Sequence, residues 1–299
     1  MRVFVLGGTG VVGRPLLPLL VRAGHDVVVA ARTAQRARAV AAAGAQPARL
    51  ASYEAAALTE AMRGCDAVVD LTTHVPPLSR AARRGAWAQH DWLRDEGTAR
   101  TVAAAQAAGA ARFVRDSVAF LHADGGQAWI DEDWPLAPGR HLASALAAER
   151  HAAGFRGDAV VLRLSLLYGP ESSHTLAAVA MGRRLRVAPV LGDGGAYLSS
   201  LHTDDAAAAV AAALSVAPGG YDVGDDEPLR RRDLVGAQAA ALGVRRLVRP
   251  PGWLPAGSTA EAQTRSHRIS AARFRAAAGW APVHRSAREG WQAVVAALA

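Results

Sequence analysis

The sequence predicts an α/β protein with a doubly wound parallel sheet and a smaller C-terminal region. Three observations carry the prediction. The run Val3-Phe-Val-Leu6 is apolar without polar alternation, as in a parallel strand buried on both faces. The spacing Gly7-x-x-Gly10-x-x-Gly13 follows it and leads into a helical run ending near Gly24. Apolar strands and helical stretches then alternate up to about residue 165, the order that builds a parallel sheet.

Without side chains, Gly7, Gly10 and Gly13 permit a tight turn, close approach of a pyrophosphate and packing of the helix on the strand. The helix is expected to begin near Val11, so that Val11, Val12 and Gly13 aim free N–H groups and the positive dipole end at the phosphates. Residues 26–31 (Asp-Val-Val-Val-Ala-Ala) read as the second strand. No acidic residue stands at its tip to take a ribose 2′-hydroxyl. Arg32, beside Thr33, suits a 2′-phosphate instead, which favours NADP, with NAD as the alternative.

A short strand near 47–50, a helix over 53–63 and a fourth strand over 66–71 come next. Leu71, Thr72 and Thr73 fall at its carboxyl end, where ligands sit in open α/β sheets, and His74 follows. After Pro76-Pro77, one long helix is predicted from about 86 to 109. A fifth strand over 112–116 delivers Ser117 to the same edge; a helix over 141–154 and a sixth strand over 158–164 bring Ser165 there. Beyond Tyr168-Gly169-Pro170 the elements shorten, with a polar loop at 192–195 and a proline-rich stretch at 249–255. The expected division is a dinucleotide-binding domain over 1–165 and a substrate-binding region over 166–299, partly interleaved with it. Gly279-Trp280 and a final helix over 286–298 are expected to close the core.

Composition narrows the classes. A chain of 299 residues, 51% hydrophobic and 20% charged, can bury a full core. The single Cys65 excludes an internal disulfide, and neither a signal peptide nor a membrane-length apolar run is read, so a cytoplasmic setting is expected. The net charge of +8 comes from 34 basic residues that are all Arg, since the chain has no Lys and no Asn. Lys and Asn share adenine-rich codons, so base composition explains their joint absence. Apart from 183–186 and 230–232 the arginines are dispersed among acids, and no nucleic-acid surface is expected. The ten His show no His-x-x-x-His spacing and no Cys-x-x-Cys is present, so no metal is expected. The expected partner is a small-molecule substrate, and a homodimer is compatible with the chain.

Further motifs recur in order: Arg112-Phe-Val-x-x-Ser117, Asp131-Glu-Asp-x-Pro135, Leu162-Arg-x-x-x-x-Tyr-Gly-Pro170, Gly192-Asp-Gly194, His202-x-Asp-Asp205, Gly220-Tyr-Asp-Val-Gly224 and Ala278-Gly-Trp-Ala-Pro282. With the glycine loop, they resemble the extended short-chain dehydrogenases/reductases of the NAD-dependent epimerase/dehydratase-like group, over nearly the whole chain. The resemblance implies a Rossmann domain and a C-terminal region closing over substrate. It also implies a Ser or Thr after the fifth strand and a Tyr-x-x-x-Lys pair on the next helix, the Tyr as acid/base and the Lys lowering its pKa. Here Ser117 matches the start of the serine segment, with Val118 and Ala119 after it. Ser144 and Glu149 anchor the helix, which puts His141 at the Tyr position and Ala145 at the Lys position. No register supplies the pair, because the chain has no Lys and its four tyrosines, Tyr53, Tyr168, Tyr197 and Tyr221, lie elsewhere. Arg94 stands where many relatives place an Asn.

Imidazole titrates near neutral pH, so His141 is the candidate acid/base, with Ser117 orienting a substrate oxygen and Asp116 or His122 assisting. His74, Arg94, His122 and Tyr168 are expected to meet the substrate. Ser117 lacks a Gly-x-Ser-x-Gly elbow, which argues against a serine hydrolase, and the lack of Lys excludes a lysine Schiff base. Three classes remain: an atypical NADP(H)-dependent reductase or dehydrogenase acting on a small, specialised metabolite; a non-redox cyclase, isomerase or dehydratase; and a non-catalytic cofactor-sensing regulator.

Overall fold

The computed structural model describes residues 1–50, 52–81, 83–250 and 264–299, so most of the proline-rich stretch 249–255 lies outside the described residues. Seven parallel strands form the main sheet: β1 (Arg2–Leu6), β2 (Asp26–Ala31), β3 (Gln46–Arg49), β4 (Ala67–Asp70), β5 (Arg112–Val118), β6 (Asp158–Leu164) and, after the short β7 (Leu166–Tyr168), β8 (Tyr197–Leu198) and β9 (Ser200–His202), the strand β10 (Gly219–Val223). Their order is β10-β6-β5-β4-β1-β2-β3, which reverses direction between β1 and β4 and opens a crevice at the carboxyl ends there. Apolar runs become parallel strands because both faces are covered. Val3 and Val5 feed the core shared with α1 (Gly13–Arg22), whereas Phe4 and Leu6 feed the opposite core. All four are at most 1% exposed, each contributing about 1.5–3 kcal/mol of apolar burial.

Helices α2 (Ala34–Ala42) and α3 (Ala55–Met62) follow β2 and β3 as predicted. The long helix expected over 86–109 is instead interrupted. A 3₁₀ turn (Arg84–Trp87) and α4 (Ala88–Trp92) lead into a π turn (Leu93–Gly97) before α5 (Thr98–Ala107). A π turn adds a residue to the helical circuit, and here it includes Arg94, which is buried against β5. His141 likewise lies in a 3₁₀ turn (Arg140–Leu142) ahead of α6 (Ala143–Ala153), not within the helix.

The later chain does not form a separate layer. Helix α7 (Ser173–Leu185) leads away from the sheet; α8 (Thr203–Ala212) returns to pack against α1, and β10 adds to β6. After β11 (Leu229–Arg230) and α9 (Arg231–Ala241), the helix Ala272–Ala278 brings Phe274 and Trp280 into the α1 core. The last helix, Ala287–Ala297, is capped by Ser286 and joins Tyr168 in a third cluster. Among the described residues no helix is long and apolar enough to cross a membrane.

Candidate active site

At the end of β1 the chain enters Gly7 with φ of +75°, a conformation that favours glycine. A Cβ there would lie 2.5 Å from the Leu71 carbonyl oxygen, so the loop passes the end of β4 with no room for a side chain. Gly10 N–H donates to the Gly7 carbonyl at 2.8 Å, closing the turn. A Cβ on Gly13 would strike that carbonyl and the Gly8 backbone. Helix α1 therefore starts at Gly13 and not at Val11, with Val12 as a cap residue that offers no side-chain acceptor. No side chain caps α1; the Arg14 and Leu16 N–H groups turn back to the Gly10 and Val12 carbonyls at 3.0 and 3.2 Å and Pro15 has none, so the N–H groups ahead of them, at Val11, Val12 and Gly13, are those an anion would meet. This cradle, built where a Cβ would intrude, fits a dinucleotide pyrophosphate. Arg14 closes one side through Nε to the Thr9 carbonyl at 3.2 Å and an ion pair with Glu171 at 2.6 Å.

Arg32 is exposed at the tip of β2. The hydroxyl of Thr33 accepts from Arg36 N–H at 3.2 Å and caps α2. At the tip of β4, Leu71 is buried and His74 exposed. Thr72 donates to Asp70 Oδ1 twice, from its N–H at 3.0 Å and its hydroxyl at 2.5 Å. The Thr73 hydroxyl lies 3.1 Å from His90 Nδ1. Ser165 is buried after β6, and its hydroxyl has no hydrogen-bond partner among the described residues.

Beneath these threonines lie four buried charges. Arg115, 0% exposed, donates to the Asp70 carbonyl at 2.7 Å, Asp116 Oδ1 at 2.8 Å and the Thr72 carbonyl at 3.2 Å. Arg94 donates to Asp116 Oδ2 at 3.0 Å and to the Asp116 carbonyl at 3.3 Å. Two arginines thus balance two aspartates, and both Asp116 oxygens are held by guanidinium groups. Of the four side chains that of Asp116 is the most exposed, at 12%. Burial works against the charge of Arg115, but Asp70 and Asp116 together hold its pKa above the usual value. Burial lowers that of Arg94 against the pull of Asp116. His90 is pushed down to about 3 by burial and then by Arg94 and Arg115, and is neutral at physiological pH. Tyr53 is pushed up to about 12 by burial and then by Asp70, so it stays a phenol.

The remaining expected residues do not converge on one point. The Ser117 hydroxyl donates to Glu149 Oε1 at 2.6 Å, and Arg163 grips the same carboxylate at 2.8 Å and 3.0 Å, tying β5 and β6 to α6. Ala145 is buried on α6, Ser144 donates to Asp91 at 2.8 Å, and His141 is half-buried in its turn. His122 is fully buried with Nε2 at 2.9 and 3.0 Å from the Asp222 oxygens, joining the end of β5 to β10. Tyr168 stacks on Trp291 at 5.6 Å and meets His202 edge-on. The residues expected to hold the cofactor thus follow the carboxyl ends of β1, β2, β4 and β6, whereas Arg94, Ser117, His122 and Tyr168 are each buried and engaged inside the protein. Asp70 and Arg115 escaped sequence reasoning. The available signal was Arg115-Asp116 inside the apolar strand Phe113-Val-Arg-Asp-Ser-Val118, where two adjacent charges demand buried partners.

A glycine cradle at the switch point of a parallel sheet, with a full C-terminal region beside it, defines a nucleotide-dependent enzyme of the extended short-chain dehydrogenase/reductase type. The chain belongs to the NAD(P)H-binding family, whose model matches residues 7–185. It is 37% identical to a 3-diazoavenalumate denitrifying reductase from Streptomyces sp, over 97% of this chain and 99% of the relative. It is 30% identical to a 4-hydroxy-2-methyl-3-oxo-4-farnesyl-3,4-dihydroquinoline-1-oxide ketoreductase from Stigmatella aurantiaca, over 82% of this chain and 74% of the relative. A human epimerase family protein solved with NADPH shares the fold, with a TM-score of 0.80 over 99% of both chains at 21% identity. These reductase relatives and the family define an oxidoreductase-type enzyme that uses NAD(P)H.

Proposed function

We propose that the chain is an NADP(H)-dependent reductase that replaces a diazo group on a small organic acid with hydrogen, releasing dinitrogen. The observation that carries the reading is the buried Ala145 at the position of the relay lysine, in a chain that retains the cradle and is 37% identical to a denitrifying reductase. The bound nicotinamide supplies a hydride. In its diazonium form the substrate carries the charge that the hydride cancels. The C–N bond would break with its electron pair leaving on N₂ and the hydride would form the new C–H bond; an arenediazonium ion needs no proton for this, whereas a neutral diazo group takes one from solvent. Carbonyl reduction, in contrast, needs a proton on the developing alkoxide. Loss of the Tyr-x-x-x-Lys pair is tolerable in the first reaction and costly in the second.

In this reading Gly7, Gly10, Val11, Val12 and Gly13 hold the pyrophosphate, Arg32 and Thr33 the 2′-phosphate end, and Leu71, Thr72, Thr73 and Ser165 the nicotinamide half. The buried Asp70–Arg115–Asp116–Arg94 group keeps the ends of β4 and β5 in place beneath the substrate. Residues 166–299 set specificity, with His74 at the rim. A second reading, ketone reduction with His141 as the acid, draws on the ketoreductase relative. Incubation with NADPH and a small arenediazonium carboxylic acid tests the choice. Equimolar N₂ and NADP⁺ support the first reading, and N₂ release without nicotinamide oxidation contradicts it. Product formed from any substrate with no transient change in nicotinamide absorbance favours a non-redox enzyme.

A further inference from the structure

Where β9 runs into α8, the sequence His202-Thr-Asp-Asp205 meets the segment Pro282-Val-His284 that leads to the last helix. The His202 and His284 rings lie face to face, with centroids 3.9 Å apart and planes tilted by 30°. His284 Nδ1 lies 3.0 Å from Asp205 Oδ2. The same carboxylate accepts the Val283 N–H at 2.7 Å and the His284 N–H at 3.1 Å, which fixes its orientation. One ligand atom from each of His202, Asp205 and His284 falls within 4.8 Å of the others.

A hydrogen bond from His284 to Asp205 accounts for part of this arrangement and leaves one atom unexplained. His202 Nδ1 accepts the Asp204 N–H at 3.2 Å, so the proton of a neutral ring sits on Nε2. Nε2 is buried and has no hydrogen-bond partner among the described residues, in a residue only 3% exposed. Buried donors without acceptors cost free energy and call for an explanation.

We propose that His202, Asp205 and His284 bind one transition-metal dication of the zinc type. Two imidazoles and one carboxylate form the borderline donor set that selects Zn²⁺, Co²⁺ or Ni²⁺ over Mg²⁺ and Ca²⁺, which prefer oxygen. The Asp205 ligand is already oriented, since two backbone N–H groups hold its carboxylate, and Asp204 Oδ2, 3.6 Å from His202 Nδ1, is the nearby acceptor that a small ring movement would engage. For a metal to bind at Nε2, the His202 proton would move to Nδ1, where the Asp204 N–H gives up its bond and the ring turns toward the Asp204 carboxylate, while the His284 Nδ1 proton would leave to solvent. The His284 side chain is 18% exposed, which provides an entry path. The ion would clamp the start of the last helix to the start of α8. The sequence hid the site because His284 lies 79 positions beyond Asp205.

The test is calorimetric titration of Zn²⁺ into the full chain after EDTA treatment, with Co²⁺ as a spectroscopic stand-in. The expected result is saturable one-to-one Zn²⁺ binding, and visible ligand-field bands of a four-coordinate site with Co²⁺. His284→Ala should weaken Zn²⁺ at least tenfold and remove the Co²⁺ bands, while the surface variant His25→Ala leaves both intact. Unchanged NADPH affinity in His284→Ala shows that the variant is folded. Absence of stoichiometric binding, or equal Zn²⁺ affinity in His284→Ala and the unaltered chain, overturns the proposal.

Discussion

The two ends of the cleft are held by opposite means. At the cradle end, tight geometry excludes side chains: a Cβ on Gly7, Gly10 or Gly13 would press on neighbouring backbone, and apolar strands behind them supply the rigidity. At the β5–α6 end, charge does the holding. Arg115 and Arg94 bridge Asp70 and Asp116, Arg163 and Ser117 hold Glu149, and Ala145 is buried beside them on α6. One end of the crevice is thus shaped by glycine backbone and the other by a buried ionic lattice.

The largest predicted effect comes from the first end. Gly13→Val drives a branched side chain into the Gly7 carbonyl, and NADPH binding should fall by more than about a hundredfold in titration calorimetry, since misplaced phosphate donors forfeit several charge-assisted bonds. Retained affinity would show that the cradle is not the binding element. At the other end, Arg115→Met leaves Asp70 and Asp116 short of a buried partner. A loss of about 3–5 kcal/mol is expected in urea unfolding, whereas a change under about 0.5 kcal/mol would mean that the lattice is not what holds the strand ends.

His141→Ala separates the two functional readings. On a ketone, kcat should drop by about 10²–10⁴ if imidazole is the acid, whereas on a diazo acid it should stay unchanged. Smaller still, Arg32→Ala should weaken NADPH by about tenfold while leaving NADH unaffected, and equal loss for both would remove the 2′-phosphate assignment. Last, His90 is neutral in the fold because its pKa is depressed from 6.5 to about 3, and it gains a proton on unfolding. Its contribution is therefore present above pH 6.5 and lost as pH falls from there toward 3. The pH dependence of Tm should flatten in His90→Gln; an unchanged slope would place the titration elsewhere.

Much of the cradle end was legible in the sequence because its physics is local. Glycine spacing, an apolar run and a following helix are neighbours in the chain, and the structure moves the helix start only from Val11 to Gly13. The β5–α6 end was legible only as an expected Tyr-x-x-x-Lys pair that the chain does not carry. Its buried ion pairs join distant segments, such as Arg94 with Asp116 and Arg115 with Asp70, and no short-range pattern encodes those. The π turn was hidden for the same reason, since helical periodicity alone does not reveal an inserted residue whose side chain has a partner on β5. Ser117 shows the converse. Its position matches a catalytic segment, but its hydroxyl points to Glu149.

The proposed reaction turns on hydride transfer without a proton relay. A single turnover with NADPH deuterated at the transferable C4 position and a small arenediazonium carboxylic acid tests it most directly. The predicted result is one N₂ released and one deuterium on the carbon that bore nitrogen, at a rate independent of His141. Product carrying solvent hydrogen at that carbon, or a rate that collapses in His141→Ala, would contradict it.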